Sequence, residues 1–335
     1  MKGVLRRRPV WQTELANSVT SPAELLRMLD LDPEQIAGDD IRGNFPLRVP
    51  RGYVRRMARG DINDPLLRQV LPVREETVQT PEFGPDPLQE LKNMPEPGLL
   101  HKYHGRALLT VTGACAIHCR YCFRRHFPYS EANPGAGDWQ SVIRYLCRHT
   151  DINELILSGG DPLSLSNQRL VRFSEQLGEI PHLQILRIHT RMPVVLPERI
   201  EQHLLEWLDH LRLKAVVVIH CNHANEINDE VADALSRLAN AGATLLNQSV
   251  LLKGINDTGT DLARLSEVLF ATGVLPYYLH QLDHVAGAAH LEVDDRTACT
   301  LMDELHAVLP GYLVPRLVRE EPGKPGKTLL WPTAR

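Results

Sequence analysis

The chain predicts an α/β fold, a partial (β/α)6 barrel of TIM type preceded by an N-terminal helical extension. Three observations point there. From Ala107 onward, short β-branched apolar runs alternate with amphipathic helical stretches, the rhythm of βα units around a parallel sheet. Six such units can be counted, too few for a closed eight-stranded barrel. The length of 335 residues would allow two domains but is ordinary for one barrel with helices outside it.

Taken in order, residues 1–105 read as the extension, with a helical segment at 22–31 and loop-like runs such as Thr80-Pro81-Glu82-Phe83-Gly84-Pro85. Residues 106–310 carry the barrel. Its strand candidates are 107–112, 154–158, 185–189, 214–220, 244–249 and 275–282, each a run of Val, Ile or Leu that favours a pleated, buried surface. The helix candidates are 139–149, 167–177, 198–211, 227–241, 261–272 and 294–308, where apolar residues recur with helical period. Ser166 is placed to cap the second of these, and Gly242 to close the fourth. Residues 311–335 form a C-terminal segment containing the turn Glu320-Glu321-Pro322-Gly323-Lys324-Pro325-Gly326-Lys327-Thr328.

With 37 basic and 41 acidic residues, the formal charge of -4 supplies no global field for holding nucleic acid. The run Arg6-Arg7-Arg8 is a local exception that reads as a solvated tail. No apolar run approaches the roughly 20 residues of a membrane helix, and no signal-type core opens the chain. A reducing, cytoplasmic setting is expected.

Cys115, Cys119 and Cys122 fall in CAIHCRYCFRR, on the loop after the first barrel strand, with no fourth cysteine near in sequence. Three thiolates on a cubane iron-sulfur cluster leave one iron open to a small-molecule ligand, which suits chemistry more than electron storage. Zinc is the alternative, with His118 or His126 as a fourth ligand, although the spacing is unusual for it. Cys147, Cys221 and Cys299 are scattered and read as small buried apolar residues.

Active-site groups of such a barrel gather where strands end. Ser158-Gly159-Gly160-Asp161 ends the second strand, and its glycines permit close backbone approach to a ligand; a tight turn with no ligand is the alternative. Arg191 and His220 stand at two further strand ends. Lys327, among small neighbours, has the freedom a Schiff-base lysine needs, although the turn also reads as a solvated basic loop.

The cysteine loop resembles the signature of the radical S-adenosylmethionine superfamily, in which the cofactor's amino and carboxylate groups chelate the open iron. From about Phe45 to Trp331 the chain resembles the lysine 2,3-aminomutase family within it. The matching stretches include Asn63-Asp64-Pro65, the cysteine loop with Phe123-Arg124-Arg125, Ser158-Gly159-Gly160-Asp161, Arg191-Met192-Pro193, Asn222-His223-Ala224-Asn225-Glu226, Asn247-Gln248-Ser249 and Pro276-Tyr277-Tyr278.

The resemblance implies three cofactors: a 4Fe-4S cluster on Cys115, Cys119 and Cys122, S-adenosyl-L-methionine, and pyridoxal 5'-phosphate linked to Lys327. It implies that Ser158, Gly159, Gly160, Asp161, Arg191 and His220 contact S-adenosylmethionine, and that Arg106 and Gln248 seat the pyridoxal phosphate. Arg124 would grip the substrate carboxylate. Asp283 would meet the distal ammonium of L-lysine, with Glu320 where the family has a second aspartate. The implied reaction moves nitrogen from C2 to C3 of L-lysine by a radical path and gives β-lysine, expected as the R isomer. Longer members carry a zinc site; Thr258 stands where one of its cysteines would be, so no zinc is expected. The chain is most similar to a shorter bacterial form whose product a lysyl-tRNA-synthetase-like ligase attaches to translation elongation factor P, with flavodoxin as a typical electron donor. The competing readings are an aminomutase for another amino acid and a cluster-binding redox or metal-sensing protein.

Overall fold

In this computed structural model, residues 8–36, 45–132 and 139–330 are described; Arg6, Arg7 and Trp331 lie outside them. Leu99–Tyr103 (β1) turns back through Gly105, at φ 76°, into Arg106–Thr112 (β2). The positive φ needs glycine there. Glu154–Gly159 (β3), Ile185–Thr190 (β4), Lys214–His220 (β5), Thr244–Val250 (β6), Leu275–His280 (β7) and Arg316–Arg319 (β8) follow. Each pairs parallel to its predecessor, and antiparallel Thr328–Leu329 (β9) closes the order β1 to β9. All six predicted barrel strands are present with ends shifted by at most a residue or two. β1, β8 and β9 were not predicted. They are short, and β8 carries an arginine at each end, so no apolar run announces it.

The predicted helices appear as Gln140–Arg148, Asn167–Gly178, Gln202–Asp209, Asp229–Asn240, Gly259–Ala271 and Asp295–Val308. Ser166 caps Asn167–Gly178 by accepting from the Arg169 amide, and Gly242 follows Asp229–Asn240 at φ 84°. Thr258 has a local duty: its hydroxyl accepts from the Asp261 amide at 3.1 Å and starts the next helix. Each helix lays an apolar stripe on the sheet, as Leu170, Phe173 and Leu177 do. Such burial contributes about 1.5–3 kcal/mol per large side chain.

The extension is held in the same core through Leu25, Leu66 and Leu67, and includes Pro22–Met28 where a helix was expected. Cys221 is buried as expected, but Cys147 is exposed. It lies off the face of Gln140–Arg148 that buries Val142, Tyr145 and Leu146. Among the described residues no helix is long and apolar enough to cross a membrane.

The sheet curls until its two margins approach. Lys102 of β1 lies 3.5 Å from Glu320, the residue after β8. The nearly closed ring leaves a cavity of about 520 Å³ on its axis.

Candidate active site

Cys115, Cys119 and Cys122 follow β2 directly and line that cavity together with Lys327, Arg124, Asp283 and Glu320. Lys327 reaches it because β8 and β9 form a hairpin: Arg319 pairs with Thr328, which brings the preceding lysine to the C-terminal end of β8. The cysteine loop and Lys327 therefore share one mouth. Arg106 and Arg316 open their strands, so the cavity also runs down the barrel axis, below the rim where site residues were expected.

The cysteine loop is fixed from two sides. Arg48 of the extension donates to the Cys115 carbonyl at 3.3 Å, and the Arg120 amide donates to Gln69. On the barrel side the Asp161 amide donates to the Ala114 carbonyl at 2.8 Å. A Cβ on Gly160 would stand 2.4 Å from that same oxygen, so only glycine lets β3 end against this loop. Burial and the neighbouring thiols push Cys115 well up, and the same causes raise Cys122 to about 11. Crowded, buried thiols of this kind become thiolates when a metal cluster supplies positive charge.

This donor set fits a cluster better than the zinc alternative. His118 meets the Pro46 carbonyl at 2.8 Å and His126 the Ala286 carbonyl at 3.2 Å.

The other predicted residues divide by what they touch. Ser158, Gly159 and Gly160 line the cavity. Asp161 lines it too, but its carboxylate is engaged by protein: it accepts from the Thr190 hydroxyl at 2.7 Å and from the amides of Leu163, Arg191 and Met192. It ties the end of β3 to the end of β4. Arg191 donates to the Cys119 sulfur, Tyr121, Tyr53, Gln69 and Glu226 in one buried network. His220 joins that network through Tyr121 at 2.7 Å, and burial followed by the Arg191 charge lowers it to about 3, a neutral ring at any ordinary pH.

Deeper in the cavity, Arg106 lies over the Tyr103 ring at 4.7 Å, and Gln248, Tyr277 and Tyr278 share the wall. The Nε2 atoms of His189 and His280 are buried there without a hydrogen-bond partner among the described residues. Burial and nearby cations, Arg187 and then Lys327 for His189 and Lys327 for His280, keep both rings neutral. Unpartnered ring nitrogens beside arginine and tyrosines suit a polar aromatic phosphate ester such as pyridoxal phosphate.

At the mouth Lys327 donates to Glu320 at 2.7 Å. Burial acts most strongly on Glu320 and would raise it, but Lys327 and Lys102 outweigh burial and hold it at about 2. Asp283 goes the other way. Burial, then the Glu320 charge, raises it to about 7 against the pull of Lys327. Arg124 is buried and forked onto Glu90, with Nε and NH2 each 2.7 Å from a carboxylate oxygen, while NH1 donates to Ser158 at 2.9 Å. Glu90, Lys102 and His280 carried no sequence signal; His189 had one only as part of the polar strand-end stretch 187–193. Glu90 stands in a proline-rich stretch that reads as loop, and its acid is informative only once Arg124 is beside it.

A cysteine triad beyond the first parallel strand of an incomplete barrel is the arrangement expected from the resemblance to radical S-adenosylmethionine proteins. A family model described as a 4Fe-4S single cluster domain matches residues 104–211, which contain the triad. The chain is 50% identical over 325 residues to L-lysine 2,3-aminomutase of Escherichia coli strain K12, covering 96% of this chain and 95% of that protein. It is 46% identical over 329 residues to L-lysine 2,3-aminomutase of Haemophilus influenzae, with 97% of each covered. To L-lysine 2,3-aminomutase of Clostridium subterminale it is 34% identical, covering 96% of this chain and 78% of that one. The chain belongs to the L-lysine 2,3-aminomutase family, a family of isomerases.

Proposed function

We propose that the chain converts L-lysine to (R)-β-lysine, using a 4Fe-4S cluster, S-adenosylmethionine and pyridoxal phosphate. The observation that carries this reading is the single cavity in which the cysteine triad, Lys327, Arg124, Asp283 and Glu320 meet. When bound, the cluster and S-adenosylmethionine supply a carbon radical, and pyridoxal phosphate supplies an imine through which nitrogen passes from C2 to C3.

The chain's own residues hold and orient. Cys115, Cys119 and Cys122 are the cluster ligands, and the backbone at Ser158, Gly159 and Gly160 receives S-adenosylmethionine. Asp161, Arg191 and His220 act from behind: the first joins two strand ends, and the other two brace the loop of Cys119 and Tyr121. Lys327 would anchor pyridoxal phosphate, and Arg106 and Gln248 would help seat it. Arg124 receives the substrate carboxylate, and Asp283 and Glu320 receive the distal ammonium. With pyridoxal phosphate bound, Lys327 would be drawn away from Glu320, which would retain Lys102 and could receive the substrate's ammonium. A buried cavity walled by neutral His189 and His280 keeps water from a reactive carbon radical.

Asp283 sets a pH dependence. Its carboxyl titrates near 7, above the usual carboxylate range, so it is neutral below that value and charged above it. An ammonium ligand needs the charged form. The KM for L-lysine is therefore expected to rise as pH falls through about 7, and Asp283→Asn is expected to raise KM and flatten the profile.

The decisive experiment is anaerobic reconstitution with iron, sulfide, pyridoxal phosphate, S-adenosylmethionine and a reductant, then chiral chromatography of the products from L-lysine. (R)-β-lysine is the expected product. Failure to consume L-lysine while another amino acid is isomerised would reassign the substrate. Delivery of the product to a lysyl-tRNA-synthetase-like ligase for elongation factor P, electron supply by a flavodoxin and a cytoplasmic location complete the proposal; they rest on resemblance to the shorter family form.

A further inference from the structure

Arg124 is not a free cation waiting for a carboxylate. Its Nε and NH2 hydrogens are held by the two oxygens of Glu90 at 2.7 Å each, and both side chains are 5% exposed. Ser158 takes a hydrogen from NH1. Guanidinium has five N–H groups, so these bonds leave two for a ligand. A buried fork held this way can present those remaining donors in only one plane.

The segment carrying Glu90 is itself held in an uncommon geometry. Gln89 lies in the left-handed region at φ 48°, ψ 44°, a conformation that non-glycine residues rarely adopt. The Glu90 amide donates to Asp86 at 3.1 Å, and the Leu88 carbonyl accepts from Lys102 at 3.1 Å. Lys102 in turn faces Glu320, the partner of Lys327. One short stretch thus ties the group placed for the substrate carboxylate to the groups placed for the ammonium and the cofactor.

We infer that Glu90 is the positioning residue for Arg124, remaining paired with it while the two free N–H groups of the guanidinium select a substrate carboxylate. This rests on the reading that Arg124 receives that carboxylate. The opposite role is a competitor carboxylate that must leave before substrate binds. The two differ in sign. A positioning Glu90 makes binding tighter, and a competing Glu90 makes it weaker.

Loaded protein is titrated calorimetrically with L-lysine and with L-lysinamide, which keeps both amines but lacks the carboxylate charge. For Glu90→Gln the dissociation constant for L-lysine is expected to rise about tenfold, the loss of one charge-assisted orienting pair, with L-lysinamide changed less than about twofold. Glu90→Asp is expected to recover part of the discrimination. Glu90 also faces Asp283, alongside Glu320, Lys327 and Lys102, and is one of the charges that raise it. The pH midpoint of L-lysine binding is therefore expected to move downward in Glu90→Gln, which loss of packing alone would not produce. Tighter L-lysine binding by Glu90→Gln, or equal weakening for both ligands, overturns the inference. Arg124→Lys separates the layers: unchanged discrimination in that variant overturns the role of Arg124 itself, whereas lost discrimination there with none lost in Glu90→Gln overturns only the role of Glu90.

Discussion

Lys327→Ala is expected to reduce β-lysine formation by about 10⁴-fold or more, because a covalently anchored cofactor acts at an effective concentration that free diffusion cannot match. The fold should survive. Lys327 is 22% exposed at the side chain, and its partner Glu320 keeps Lys102 at 3.5 Å, so the cost stays below the roughly 3–5 kcal/mol of a buried charge left with no partner. The variant should retain cluster absorbance and lose pyridoxal absorbance after gel filtration. Product at the parental rate would show that Lys327 serves only as the ion-pair partner of Glu320 and that it is not the cofactor's anchor.

Asp161→Ala is expected to be the most damaging change for stability near the site, at about 3–5 kcal/mol. Its carboxylate accepts from Thr190, Leu163, Arg191 and Met192, all in buried surroundings; alanine removes the acceptor of the Thr190 hydroxyl and of the Leu163 and Arg191 amides, while the Met192 amide keeps the Thr190 oxygen at 3.0 Å. The consequence should pass to function, since the same residue's amide holds the Ala114 carbonyl of the cysteine loop. Urea unfolding of the apo variant measures the first effect, and iron content after reconstitution the second. A variant with parental midpoint and full iron would mean that water replaces the carboxylate and that the two strand ends are not joined through it.

Sequence patterns were sufficient for the local parts of this molecule. The period of apolar residues determines strand or helix within a dozen positions, so six βα units were legible, and so was the cap at Ser166. The triad was legible because its ligands are crowded into one loop. β8 and β9 escaped because a short strand flanked by arginine, glycine and proline has no pattern of its own; its pairing with β7 gives it structure. Asp161, Arg191 and His220 were expected at the strand ends and do line the cavity, but their bonding was not legible, since it depends on the Thr190, Glu226 and Tyr121 side chains brought against them.

By itself the sequence determined the fold class, the cysteine triad as candidate ligands and the family resemblance, all of which depend on neighbours along the chain or on matching stretches in order. The tertiary structure decided that the cavity runs down the barrel axis, that Glu90 holds Arg124 across 34 positions and that Lys102 meets Glu320 across 218. Pairings of that kind arise only when the curling sheet brings its margins together, and a carboxylate far away in sequence carries no mark of the cation it will face. Nearby cations then separate two buried acids at the mouth: Lys327 and Lys102 outweigh burial and hold Glu320 at about 2, whereas burial and the Glu320 charge outweigh Lys327 and raise Asp283 to about 7.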